Sequence, residues 1–190
     1  MSEANIRARP PLDQRSVDGG GLAGVGILER QSHLFVPPTW RAIKDGDDDA
    51  RRFFDRHYSR YVYKDGRQPK LFVGPGEKLV LVTACRRALF VWRKFISGDG
   101  QTGVNCAIFR NEGAGLSSWL VREADDVADI MWPGERHFTY VDPYKTYGRR
   151  TRFHLICGPA TPGRCFIEAG WRVCGRTKWN KLFILERLSA

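Results

Sequence analysis

The sequence predicts an α+β domain in which one sheet is flanked by helices, an α/β/α sandwich. Three observations predict it. The composition, 42% hydrophobic and 27% charged over 190 residues, suits a chain that buries one core. Short β-patterned runs bounded by Gly and Pro are interspersed with stretches of helical period. The order of those elements is helix, three strands, helix, strand, helix, two strands, the mixed order of an α+β chain.

Residues 1 to about 30 combine Arg-Pro-Pro, a Gly-rich run and scattered charges without periodicity, the profile of a flexible leader, so residues 31–190 form the single domain. Residues 44–49 supply a polar run with cap residues, after which Ala50, Phe53, Phe54, His57 and Tyr58 recur at helical spacing. Gly74-Pro75-Gly76 leads into an antiparallel hairpin of residues 78–83 and 88–95, and 104–109 is the third strand. Ser117 and Ser118 offer N-caps for a helix to about 131, whose apolar stripe is Leu120, Val121, Ala124, Val127, Ala128 and Met131. Residues 136–141 are a strand, 162–169 a short helix ended by Gly170, and 172–176 with 182–186 a closing strand pair.

Charge is unevenly placed. The net formal charge is +10, yet residues 1–50 carry six Lys/Arg against eight Asp/Glu, so the body carries all the excess. Residues 144–187 alone hold ten basic and two acidic residues. A field of that sign attracts polyanions, nucleic acid first and an acidic cofactor such as coenzyme A next. No apolar run approaches the ~20 residues of a membrane span, and no secretory signal is visible, so a soluble cytoplasmic protein without membrane contact is expected. Cys85, Cys106, Cys157, Cys165 and Cys174 lack zinc or disulfide spacing and read as reduced thiols, mostly small core residues.

Between the third strand and the long helix the chain reads Arg110-Asn111-Glu112-Gly113-Ala114-Gly115-Leu116-Ser117-Ser118. Glycines let the main chain turn with its amides aimed at one point, where the next helix also places its positive dipole end. Such a loop cradles phosphate, or is merely a turn. It resembles the acyl-CoA pyrophosphate loop of the GNAT superfamily of N-acetyltransferases, with Arg110, Gly113 and Gly115 matching position by position. Residues 165–171, ending Gly170-Trp171, resemble that superfamily's later helix and the opening of its last strands. The resemblance spans roughly 45–190. It implies a GNAT-like fold with a central mixed, mostly antiparallel sheet, and acetyl-CoA or a related acyl-CoA held by Arg110, Asn111, Glu112, Gly113, Ala114, Gly115, Ser117 and Ser118.

His57-Tyr58-Ser59 lies where the first helix ends, and Tyr140-Val141-Asp142-Pro143 ends the strand after the long helix. Imidazole, phenolate and carboxylate together suit a divalent iron or acid–base work. The plainer readings are a helix-terminal histidine cap and an Asp-Pro turn. A narrower resemblance rests on Arg56-His57-Tyr58-Ser59, the block Gly103 to Gly113, Tyr140-Val141-Asp142-Pro143 and Cys174-Gly175-Arg176-Thr177. These segments resemble the phage DNA-modification proteins called Mom and their relatives. That resemblance implies modification of the exocyclic amine of adenine in DNA, an anti-restriction role inside a bacterial host, and a bound iron (Fe2+). The catalytic and metal-binding residues it implies are His57, Tyr58 and Asp142.

This chain departs from that pattern between Asp142 and Pro162, where it carries an extra basic segment. There Tyr144, Tyr147, Phe153 and His154 interleave with Lys145, Arg149, Arg150 and Arg152, offering stacking planes beside phosphate contacts. With Arg176 and Lys178 these cations are the expected contacts to double-stranded DNA, from which a target base must be extruded. Trp171 and Trp179 read as core residues in preference to base platforms. The alternatives are an acetyl-CoA-dependent N-acetyltransferase acting on a small amine or aminated base, and a non-enzymatic nucleic-acid-binding protein. A homodimer is left open.

Overall fold

A computed structural model describes residues 39–146 and 163–188. The leader and Arg149, Arg150, Arg152, Phe153, His154 and Cys157 lie outside the described residues. In chain order the elements are β1 (Trp40–Ile43), α1 (Asp48–Asp55), β2 (Glu77–Thr83), β3 (Ala88–Lys94), β4 (Val104–Asn111) and α2 (Ser117–Met131). β5 (His137–Val141), α3 (Pro143–Thr146), α4 (Arg164–Glu168), β6 (Arg172–Arg176) and β7 (Phe183–Arg187) complete them. The seven strands form one sheet in the order β1-β2-β3-β4-β5-β7-β6. β4 and β5 pair parallel and every other neighbour pairs antiparallel. This is the mixed, mostly antiparallel sheet expected of the α+β domain.

The alternation of side chains along β2 and β3 splits the core between the two faces. Leu79, Leu81, Phe90 and Trp92 pack beneath the α2 stripe with Val141 and Leu185 from the far half of the sheet. Val80, Val82, Leu89 and Val91 pack beneath Ala50 and Phe53 of α1. Each such side chain, fully buried, contributes roughly 1.5–3 kcal/mol. Two indoles orient α2: Trp40 Nε1 donates to the Leu120 carbonyl at 3.2 Å and Trp92 Nε1 to the Ala124 carbonyl at 3.0 Å. Next to Ala124 in the middle of α2, buried Asp125 accepts from Trp171 Nε1 at 2.8 Å and pairs with His137 Nδ1 at 3.0 Å. Arg187 closes the cluster through Asp129 at 2.9 Å. Burial raises the Asp125 carboxyl above its usual range, against the lowering by the His137 and Trp171 bonds.

The differences from the sequence expectation have local causes. β1 was not expected: it is four residues long and finds its place by pairing Trp40 with Thr83 and Ile43 with Val80. α1 stops at Asp55, two residues short of His57, because the amides of Arg56 and His57 bond to carbonyls three residues back and tighten the last turn. Leu116, not a serine, occupies the N-cap of α2 and makes no side-chain cap; Ser117 is the first helical residue and Ser118 is buried. Among the four described cysteines only Cys106 is buried, with Cys85 and Cys174 exposed. Trp171 is core, whereas Trp179 is 77% exposed.

Candidate active site where two strands part

β4 and β5 stay together for three residue pairs, Val104 with His137, Asn105 with Phe138 and Cys106 with Thr139. Beyond Cys106, β4 continues beside β3 to Asn111, and β5 continues beside β7 to Val141. The strands therefore diverge, and main-chain groups on the two facing edges lose their sheet neighbour. Thr139 Oγ1, donating to the Cys106 carbonyl at 2.9 Å, and Asn105 Nδ2, donating to the Phe138 carbonyl at 3.2 Å, pin the apex. A cavity of about 200 Å³ opens above it, lined among others by His57, Tyr58, Asn105, Tyr140, Phe166 and Leu182.

His57 and Tyr58 bridge this gap. Their rings stack 4.5 Å apart at 30°. The main chain of Phe109 on the open edge of β4 faces the buried imidazole, and the main chain of Asp142 at the end of β5 faces the Tyr58 hydroxyl. Ser59 supplies Nδ1 of His57 with its amide at 3.3 Å and its hydroxyl at 2.7 Å. Nδ1 thus accepts, and the ring proton belongs on the nitrogen facing Phe109. Burial lowers the His57 pKa to about 4, with Arg110 adding to the fall and the Phe109 main chain opposing it, so the ring is neutral at pH 7. Tyr58 is raised above 10, first by burial, then by nearby Asp142, Cys106 and Cys165 against the Asp142 main chain. It is a phenol and a proton donor. Burial also pushes the Cys165 thiol up to about 11 and Cys106 well above the usual thiol range, so neither is a ready nucleophile.

The structure brings the main chain of Asp142 to Tyr58, but its carboxylate serves α3. Asp142 Oδ1 accepts from the Lys145 amide at 3.2 Å, and Asp142 is not among the residues lining the cavity. Among the described residues no group of three His, Cys, Asp or Glu side chains is placed to hold a metal, and the Asp142 carboxylate, expected beside His57 and Tyr58 as an Fe2+ ligand, accepts from the Lys145 amide instead of lining the cavity. No step is derived through a metal.

The glycine loop has the expected backbone, with φ of 95° at Gly113 and 140° at Gly115 and open space where either side chain would stand. Its amides are not all available. The Asn111 carboxamide oxygen takes the amides of Gly113 at 3.0 Å and Ala114 at 2.9 Å, and Glu112 donates its amide to the Arg87 carbonyl. Asn111 Nδ2 also donates to the Gly115 carbonyl and to Ser117 Oγ. Arg110 bonds Glu112 at 2.6 Å and the Arg56 carbonyl at 2.7 Å, and Arg56 bonds the same carboxylate. An anion here must displace the Asn111 carboxamide or use the first-turn amides of α2, among them Ser117 and Ser118, which have no partner one turn back.

Sequence reasoning missed the opposite wall. Tyr140, which lines the cavity with Val141, donates to Asp99 Oδ1 at 2.6 Å and to Ser97 Oγ at 3.1 Å. Burial and the Asp99 carboxylate raise Tyr140 to about 12. Asp99 lies below its ordinary value because bonds from Ser97 and Tyr140 outweigh its burial. The Tyr140 motif was visible, but its partner comes from a turn 41 positions away. Of the expected DNA contacts, Lys145, Arg176 and Lys178 are exposed. A larger cavity of about 430 Å³ lies apart from these groups, between α1 and the 60–74 segment.

No family model and no curated protein matches this chain. Among solved structures it is similar to an acyl-CoA N-acyltransferase from Pseudomonas aeruginosa, at 12% identity and a TM-score of 0.47, over 78% of this chain and 97% of that chain. Nothing in the functional reading rests on that likeness. Among the described residues, no helix is long and apolar enough to cross a membrane.

Proposed function

We propose that the protein is a transferase that modifies an exocyclic base amine in DNA, adenine's first, with the parted β4–β5 edges receiving donor and acceptor. The observation that carries this is the protonated Tyr58 phenol held across the gap by the β5 end and stacked on a neutral His57. With a thioester donor, the amine nitrogen attacks the acyl carbon, a C–N bond forms and the C–S bond breaks. The departing sulfur takes a proton, which Tyr58 is placed to give. The amine's proton leaves to solvent base, since the Tyr140–Asp99 pair keeps its shared proton on Tyr140. His57, stacked 4.5 Å from it, positions the Tyr58 ring, and the end of β5 faces its hydroxyl. The positive charge of the body favours a polyanionic acceptor.

The test is nucleoside mass spectrometry on DNA from cells expressing the protein. A heavier deoxyadenosine that disappears with Tyr58→Phe is expected; unmodified nucleosides from folded, expressed protein refute the reading. A second reading, an acyl-CoA N-acyltransferase of small amines, is favoured by the modest 200 Å³ of the cavity. Saturable acetyl-CoA consumption with a small amine, and none with DNA, would decide for it.

A further inference from the structure

The β6–β7 connection ends in a clasped tip. The Thr177 amide donates to the Leu182 carbonyl at 2.9 Å, and Thr177 Oγ1 accepts from the Leu182 amide at 3.0 Å. Between them stand Lys178, Trp179, Asn180 and Lys181, with Lys181 held at a φ of 53°, a conformation that an L side chain adopts at a cost. Trp179 is 77% exposed at this tip and Trp119, on α2, is 63% exposed, whereas Trp40, Trp92, Trp132 and Trp171 are buried. The Lys178 ammonium sits 5.2 Å from its ring, and the Arg176 guanidinium lies 4.0 Å over Phe183. From Arg172 to Phe183 the chain holds four basic residues and no acidic one. Leu182, the residue that closes the clasp, lines the cavity beside His57 and Tyr58. The tip therefore stands at the mouth of the gap.

We propose that Trp179 is a stacking wedge for DNA: it enters the base stack where the target base has left it, while Arg176, Lys178 and Lys181 hold the flanking phosphates. This rests on the DNA reading above. Cations alone would account for phosphate attraction, but not for an indole presented to water on a clasped turn beside the cavity. A base swung out of a duplex leaves a gap bounded by two π faces, and an indole stacks on either without regard to sequence. The wedge would offset part of the unstacking cost where it falls.

The experiment compares two fluorescein-labelled duplexes of about 20 base pairs, one intact and one with a central abasic site that presents the gap ready-made, by anisotropy titration at several salt concentrations. Wild type should bind the abasic duplex more tightly. Trp179→Ala should lose about tenfold of that affinity with an unchanged salt slope, and Trp179→Phe should recover most of it. Lys178→Ala with Lys181→Ala should lower the slope by about 1.8, the share of two phosphates. All of these residues are exposed, so folding is not at issue, and circular dichroism verifies it. Equal binding of both duplexes by wild type and Trp179→Ala overturns the proposal, as does an absence of duplex binding by wild type. Trp179-dependent binding with unmodified deoxyadenosine instead counts against the proposed chemistry alone.

Discussion

Charging His57 should weaken the fold by an amount that follows from its surroundings. The imidazole is 8% exposed, and its pKa falls from 6.5 to about 4 on folding. A base whose pKa is depressed binds fewer protons folded than unfolded, so the loss is absent above pH 6.5, grows as pH falls, and is complete below pH 4. With these two values the loss is about 2 kcal/mol at pH 5 relative to pH 8, and approaches about 3.4 kcal/mol in acid. Urea unfolding of wild type and His57→Gln at pH 8 and pH 5 isolates this part, because every other titrating group is common to both proteins. The variant keeps an amide that can reach toward Phe109 but cannot acquire the charge. It should be less stable at pH 8 yet lose about 2 kcal/mol less on going to pH 5. Equal losses in the two proteins would show that His57 is not held neutral, and would remove the basis for assigning its proton to the nitrogen facing Phe109.

Tyr58→Phe keeps the ring stacked on His57 but removes the phenolic proton, so kcat in the transfer assay should fall by roughly 100-fold with KM little changed and the melting temperature nearly constant. Asp125→Ala strips buried His137, Trp171 and Arg187 of their shared carboxylate; chemical denaturation should show a loss of about 3–5 kcal/mol. Gly103→Ala would bring a Cβ to 2.3 Å from the Arg136 carbonyl at a φ of 110°, just before the β4–β5 ladder. It should cost at least about 1–3 kcal/mol, and amide exchange should rise first at Val104 to Cys106.

The hairpin of β2 and β3, the start of β4 and the length of α2 were legible because burial on one face forces a period that residues such as Leu79, Leu81, Leu120 and Ala124 display. β1 was not, since four residues carry too little period and its reason to be a strand lies 40 positions away in β2. Asn111 shows why the loop was only half legible. The glycines announce the turn, but nothing in the spacing tells that the carboxamide folds back onto the amides of Gly113 and Ala114 instead of pointing to solvent. Asp142 is half legible for a similar reason: a carboxylate at a strand end before proline suits a catalytic cleft and a helix start equally, and only the Lys145 amide reveals the second role. Asp99 escaped notice because a turn aspartate gains meaning only when the sheet carries Tyr140 to it.

The short parallel ladder has a practical consequence. Three rungs between β4 and β5 make a natural fault line across the sheet, bound otherwise by α2 on one face and by the His57–Tyr58 strap. Whatever occupies the gap acts as mortar between two banks, so its binding energy is added to the cohesion of the whole fold. A true occupant at 100 times its Kd would add about 2.7 kcal/mol to unfolding. Thermal-shift screening of thioesters, nucleotides and short duplexes can therefore identify the occupant before any product is known.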